Sequence, residues 1–137
     1  MFERLLLLGV LAVAVGLVVL AFRVGGTLRG ERATRLAAPA GLVDDRRPLL
    51  LSFTTPGCAD CRYRQVPAVS EVEQALGAAV ETRLVDASRD PDLALHFGIL
   101  TAPSTVILDR TGQVAARNDG FAPAATLLAQ LRPLLAA

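Results

Sequence analysis

From residue 5 to residue 22 the side chains LLLLGVLAVAVGLVVLAF are apolar without interruption, and at about 1.5 Å per residue they make a helix of about 27 Å, enough to span a bilayer. A helix apolar on every face belongs in lipid rather than in a small core, and Gly9 and Gly16 fit a membrane helix. The stretch exceeds the apolar region of a cleaved signal peptide, and no small-x-small site follows it directly, so an uncleaved transmembrane anchor over 1–22 is expected. Residues 23–47 show no apolar periodicity and carry Gly25, Gly26, Gly30, Pro39 and Gly41, which marks a linker that does not pack. From residue 48 to residue 137 short apolar runs alternate with helical spacings, and one domain is expected there.

Within that domain Leu49 to Phe53, bounded by Pro48 and Thr54-Thr55-Pro56-Gly57, predicts a buried central strand. Val66, Val69, Val72, Ala75 and Leu76 recur at spacings of three and four, which predicts a helix over 62–76, bent near its start by Pro67 and ended by Gly77. Val80 to Val85 is a second strand closing at Asp86, and Pro91 to Phe97 a short helix capped by Asp90 and stopped by Gly98. A third strand over Ser104–Leu108, a turn at Thr111-Gly112, a fourth strand over Val114–Arg117 and a helix over Pro123–Leu135 complete the order β-α-β-α-β-β-α. Such an order implies an α/β layer fold, a central sheet with helices on both faces.

The chain has 14 Arg, no Lys and 13 acidic residues, a formal net charge of +1, so no basic field argues for nucleic-acid binding. Its charge is nevertheless uneven: the linker has six Arg against three acids and the domain seven Arg against nine acids. Arg23, Arg29, Arg32 and Arg35 follow the apolar stretch, and the positive-inside rule then places the domain on the cytoplasmic side of a single-pass membrane protein; the extracytoplasmic side is the alternative, since Arg4 and the α-amine act the other way. The two cysteines are three residues apart, so they cannot staple distant parts of the fold and their chemistry is local.

Cys58-Ala59-Asp60-Cys61 falls where a strand gives way to a helix, so unsatisfied helix N–H groups and the helix dipole favour an anion at the first sulfur. A thiolate there is the nucleophile of disulfide exchange, with Arg62 and Arg64 adding favourable charge and Asp60 opposing it. The Cys61 sulfur, one turn on, is within reach to resolve a mixed disulfide between Cys58 and a substrate. Two Cys and one His cannot supply the four ligands of a structural zinc site, and no Met or basic residue is placed as a copper-loop partner. His96 is expected on the surface at a helix C-terminus, Asp86 as a cap or a solvated strand end, and Asp109 and Asp119 as turn residues. Glu71 and Glu73, two apart, cannot share a helical face, and no hydrolase triad is available.

Residues 48–137 resemble the thioredoxin-like thiol-disulfide oxidoreductases. The resemblance rests on Leu49–Phe53 followed by Pro56-Gly57-Cys58-Ala59-Asp60-Cys61, on Gly98-Ile99-Leu100-Thr101-Ala102-Pro103-Ser104, which is similar to the family's cis-proline loop, and on Gly112 and Gly120. It implies a cis Pro103 against the cysteine pair, a substrate groove formed by Gly57, Ala102 and Pro103, and backbone binding of an extended chain by strand addition. It also implies protein disulfide or dithiol substrates, a separate electron donor, a monomer and no dissociable cofactor, the Cys58–Cys61 dithiol carrying both electrons itself. The chain departs from the family in three places: Gly57 stands where many members have tryptophan, Ala59-Asp60 where Gly-Pro is usual, and Ser52 where typical thioredoxins bury an acid that assists the second cysteine. The expected function is membrane-anchored disulfide exchange, with reduction preferred. The alternative is a non-catalytic module of the same fold that tethers a membrane partner.

Overall fold

The computed structural model describes residues 3, 9–20, 37–44 and 47–136, and the chain divides into two compact units that part between residues 33 and 34. The first contains a helix over 9–20 (α1), whose side chains are all exposed. Among the described residues no helix is long and apolar enough to cross a membrane. Residues 5–8 and 21–22 of the expected span, Arg4, and Arg23, Arg29, Arg32 and Arg35 after it lie outside the described residues.

In the second unit the apolar run after Pro48 becomes β1 (Leu49–Thr54), followed by a π-helical turn (Cys61–Gln65) and α2 (Val66–Leu76). Then come β2 (Glu81–Asp86), α3 (Pro91–His96), β3 (Ser104–Leu108), β4 (Val114–Asp119) and α4 (Ala124–Leu135). The sheet runs β2-β1-β3-β4, with β1 parallel to β2 and antiparallel to β3, and β3 antiparallel to β4. The sheet is mixed, in the expected thioredoxin-like α/β fold. Successive side chains of a strand point to opposite faces. Leu49, Leu51 and Phe53 accordingly pack with Ala94 and Phe97 on one face, and Leu50 with Val72, Leu127 and Leu131 from α2 and α4 on the other.

Pro67 disturbs its helix as expected, and the disturbance takes the form of a widened turn. Proline has no N–H and its ring crowds the carbonyl four residues back; the chain relieves this just ahead of Pro67, where the Val66 N–H reaches five residues back to the Cys61 carbonyl. That turn buries Gln65, whose amide donates to the Ala122 carbonyl at 3.0 Å and accepts from the Ala122 N–H at 2.9 Å. Asn118 and Gln130 exchange amide hydrogen bonds, both 2.9 Å, and tie β4 to α4.

The expectation that residues 23–47 do not pack is corrected at its C-terminal end. Ala38, Leu42 and Val43 lie against the α3 side of the core, the Ala38 N–H donates to the Gly112 carbonyl at 2.7 Å, and Ala37 bridges Gln113. The folded unit therefore starts before residue 48; residues 23–36 lie outside the described residues. Gly112 serves this contact and the β3–β4 turn together: its φ is +83°, and a Cβ there would meet the Ala38 Cβ at 3.3 Å. The Asp109 carboxylate accepts from the Thr111 N–H (2.8 Å) and hydroxyl (2.6 Å) in the same turn, as a turn residue should.

Gln65→Leu keeps the side chain's approximate volume and strands the Ala122 N–H and carbonyl. It should cost about 2 kcal/mol of stability in urea unfolding followed by circular dichroism, the usual range for buried polar groups left unpaired. A loss below about 0.5 kcal/mol would mean that water replaces the amide without cost.

Candidate active site around Cys58 and Cys61

β1 ends at Thr54, and Thr55-Pro56-Gly57 turns the chain so that the Cys58 N–H donates to the Thr55 carbonyl at 3.2 Å. The turn needs a positive φ at Gly57, +79°. Helical backbone starts at residue 59, which puts Cys58 at the helix N-terminus. Cys58 and Cys61 are joined by a disulfide, their Cα atoms 5.3 Å apart. Cys58 is half-buried and Cys61 buried, and the Cys61 N–H donates to Cys58 Sγ at 3.1 Å. That donor, one of the orphan N–H groups of a helix start, is placed to hold negative charge on the Cys58 sulfur once the disulfide opens.

The neighbouring charges divide. The Asp60 carboxylate lies 3.7 Å from the Arg64 guanidinium, one turn on, and Arg64 also stacks over the Phe121 ring at 4.1 Å. Arg62 makes no ion pair among the described residues and, with Gly57, Cys58, Ala59 and Tyr63, lines a shallow recess of about 180 Å³ beside the sulfur. Ser52 is buried in β1 and faces a cavity of about 300 Å³ lined also by Val66, Val69, Ser70, Glu73, Thr82 and Leu84. The Glu73 carboxylate there accepts from the Thr82 hydroxyl.

The Ala102–Pro103 peptide is cis. Phe53 is paired with Ser104, so the loop that leaves β1 with Gly57 and Cys58 and the loop that enters β3 with Ala102 and Pro103 stand at the same end of adjacent central strands. Thr54 is paired in turn with Asp86 at the end of β2. The Ser88 hydroxyl, then the Ser88 N–H, hold the Asp86 carboxyl below the ordinary carboxylate range, and the charge of Arg89 acts the same way. His96 lies at the C-terminus of α3, exposed, and its Nε2 donates to the Ala37 carbonyl at 2.8 Å. Asp119 ends β4 rather than making a turn, since it is paired with Ser104 of β3, and Arg117 lies 2.8 Å from its carboxylate.

Two residues at this end of the molecule escaped the sequence reading. Gln65 stood only as a position in the expected helix over 62–76, and Arg117 only as the last residue of the expected fourth strand. Arg117 instead donates through Nη1 to the Phe97 carbonyl and through Nη2 to the Gly98 carbonyl, each at 2.7 Å. For Gln65 the local signal was a polar residue at a position that the helical spacing of Ala68 and Val72 turns inward; Arg117 had none, because the register shift in β4 breaks the alternation from Val114.

The model of the thioredoxin family matches residues 39–133. The chain belongs to the thioredoxin family. Over 115 residues it is 29% identical to the chloroplastic thioredoxin Y of Oryza sativa subsp. japonica, covering 82% of this chain and 67% of that protein. It is likewise 29% identical over 94 residues to a thioredoxin of Synechocystis sp., covering 69% and 86%. Among solved structures, a chloroplastic thioredoxin z superposes with a TM-score of 0.59 at 22% identity, over 67% of this chain and 81% of that one. The chain is thus a thiol-disulfide oxidoreductase whose CxxC disulfide is Cys58–Cys61. Thioredoxin chemistry needs no cofactor beyond that disulfide, and among the described residues no group of three or more His, Cys, Asp or Glu is placed to hold a metal ion.

Asp86, at the same end of the sheet as the cysteines, gives a pH prediction. A carboxyl held below its unfolded value, about 3.9, stabilises the fold above that pH, and the contribution is lost as pH falls through the folded value. Asp86→Asn should therefore lower the urea midpoint at pH 7, and the gap from the unsubstituted protein should close on acidification below pH ~4. A gap of constant size down to pH ~2.5 would assign the effect to shape rather than charge.

Proposed function

We propose that the chain is a membrane-anchored protein disulfide reductase. The observation that carries the chemistry is the half-buried Cys58 sulfur at a helix start, with the Cys61 N–H on it and the Cys61 sulfur buried behind it. In the dithiol form the Cys58 thiolate attacks a substrate disulfide, forming a Cys58–substrate disulfide and releasing one substrate sulfur as thiolate. Cys61, having lost its proton, attacks Cys58 Sγ, closes the Cys58–Cys61 disulfide and releases the second substrate sulfur. Two electrons pass from the dithiol to the substrate, the two protons end on the substrate thiols, and a donor dithiol restores the starting state.

Arg62 supplies favourable charge beside the first sulfur, and Arg64 answers the opposing charge of Asp60. Ser52 brings a hydroxyl where typical relatives have an acid, so the proton of Cys61 leaves to water. Gly57, Ala102 and Pro103 form the groove for an extended substrate chain. The anchor is residues 5–22; the unbroken apolar sequence supports it, as does α1, with Val10, Leu11, Val13, Leu17 and Leu20 all exposed. The Arg residues after it favour a cytoplasmic domain, where ambient thiols keep such pairs reduced, and the protein works as a monomer.

Cys61→Ser in the full-length protein removes the resolving step and should accumulate substrates on Cys58 as reducible mixed disulfides in a carbonate-resistant membrane fraction. Their absence above a Cys58→Ser control would instead favour the tethering module. Separately, labelling of reduced Cys58 by a membrane-impermeant thiol reagent in intact cells would put the domain on the outer side.

A further inference from the structure

α3 ends at His96, and the last carbonyls of a helix have no partners within it. Beyond them the chain runs through residues 97–103 to β3, and this segment includes Leu100, 89% exposed, and the half-buried Ala102. Its far end is closed by the Ser104 hydroxyl, which donates to the Thr101 carbonyl at 2.7 Å. At its near end the Ile99 N–H returns to the Ala94 carbonyl at 2.8 Å, and Arg117 holds Phe97 and Gly98, two of the four residues between.

Arg117 reaches across from β4 with a guanidinium oriented by Asp119, Oδ1 accepting from Nε at 3.0 Å and from Nη2 at 2.8 Å. With its plane fixed, the same group donates to two successive carbonyls, Phe97 and Gly98. The approach is so close that a Cβ on Gly98 would meet Arg117 Nη1 at 3.1 Å, and the Gly98 φ of +63° aims its carbonyl without steric cost. A lysine offers a point charge in place of the planar fork and cannot keep this whole set of bonds.

We propose that Arg117 is a positioning residue for protein substrates. It fixes where the 99–102 backbone stands beside the Cys58 loop, so that the Ala102 peptide groups meet an extended chain in register. The proposal rests on the substrate groove of the function given above. A substrate that offers the sulfurs a bare disulfide, with no peptide chain around it, does not use that groove.

The test follows the single-turnover oxidation of the full-length protein, pre-reduced with dithiothreitol and freed of it, by two disulfides, the small aromatic 5,5′-dithiobis(2-nitrobenzoate) and insulin, with KM the half-saturating disulfide concentration and kcat the limiting rate of that single turnover. Arg117→Gln should raise KM for insulin about ten-fold with kcat nearly unchanged, leave the rate with the aromatic disulfide within about two-fold, and be partly rescued by Arg117→Lys. Asp119→Asn, which releases the guanidinium without removing it, should raise the insulin KM by a smaller factor and carries the test should Arg117→Gln fail to fold. Equal slowing of both disulfides, or an unchanged insulin KM in these variants, overturns the role of Arg117 while leaving the reductase reading intact. Failure of the unsubstituted protein on both disulfides overturns that reading and the positioning role with it.

Discussion

β1 is paired on both edges and buried on both faces, and the level of the two loops at the sulfur end follows from that constraint. Leu49, Leu50, Leu51 and Phe53 are fully buried, which is possible for a strand only when both rows of backbone groups are bonded to neighbours. With its register fixed by β2 and β3, its last residue, Thr54, delivers the chain to one point, and Cys58 follows within a single turn of the backbone. The antiparallel register with β3 fixes Ala102 and Pro103 at the same level. A one-residue slip would turn Phe53 away from Phe97 and put the Ser52 hydroxyl into that apolar layer, so the core itself enforces the alignment of the two loops.

The helix that carries Cys61 is held differently. Proline near its start weakens the usual ladder, and the widened turn that results exposes Tyr63 and turns Gln65 inward. The Gln65 side chain then makes two bonds to Ala122, 57 residues away, which dock the helix start on the segment preceding α4. The turn next to the sulfurs is thus tied down by a side chain as well as by its backbone bonds, through a contact remote in sequence.

Much of this was legible in the sequence because it is local. The apolar runs of β1 and β3, Asp90 accepting from the Leu93 N–H at the start of α3, the glycine of the β3–β4 turn and the strand-to-helix cysteine pair each depend on residues within a few positions. What was not legible depends on partners far along the chain. β4 runs on to Asp119 because an edge strand needs pairing along one side, which the polar pair Arg117-Asn118 does not forbid. Residues 37–44 showed no period because they form neither helix nor strand; they cover the core with single apolar contacts from Ala38, Leu42 and Val43. Gln65 and Arg117 are polar side chains whose partners are backbone groups, and backbone groups leave no mark on composition.

The departures from the usual thioredoxin pattern bear on selectivity more than on reactivity. A Cβ at Gly57 would find open space, and the φ of +79° there disfavours any larger residue, so no aromatic wall stands before Cys58. The sulfur is approached across a shallow recess whose polar feature is the charge of Arg62, which has no ion pair among the described residues. Shape is a poor filter at such an opening, since an extended chain of almost any sequence fits it. Discrimination must then come from what an incoming chain meets besides the sulfur: the charge of Arg62, which favours an acidic neighbour of the target cysteine, and the backbone of the loop before β3. A charge at an exposed site contributes about 1 kcal/mol or less, whereas backbone pairing demands placement to a fraction of an ångström. With the substrate groove proposed above, the loop would carry the larger part of substrate selection, and the bonds that fix its ends would matter to function although none of them touches a sulfur.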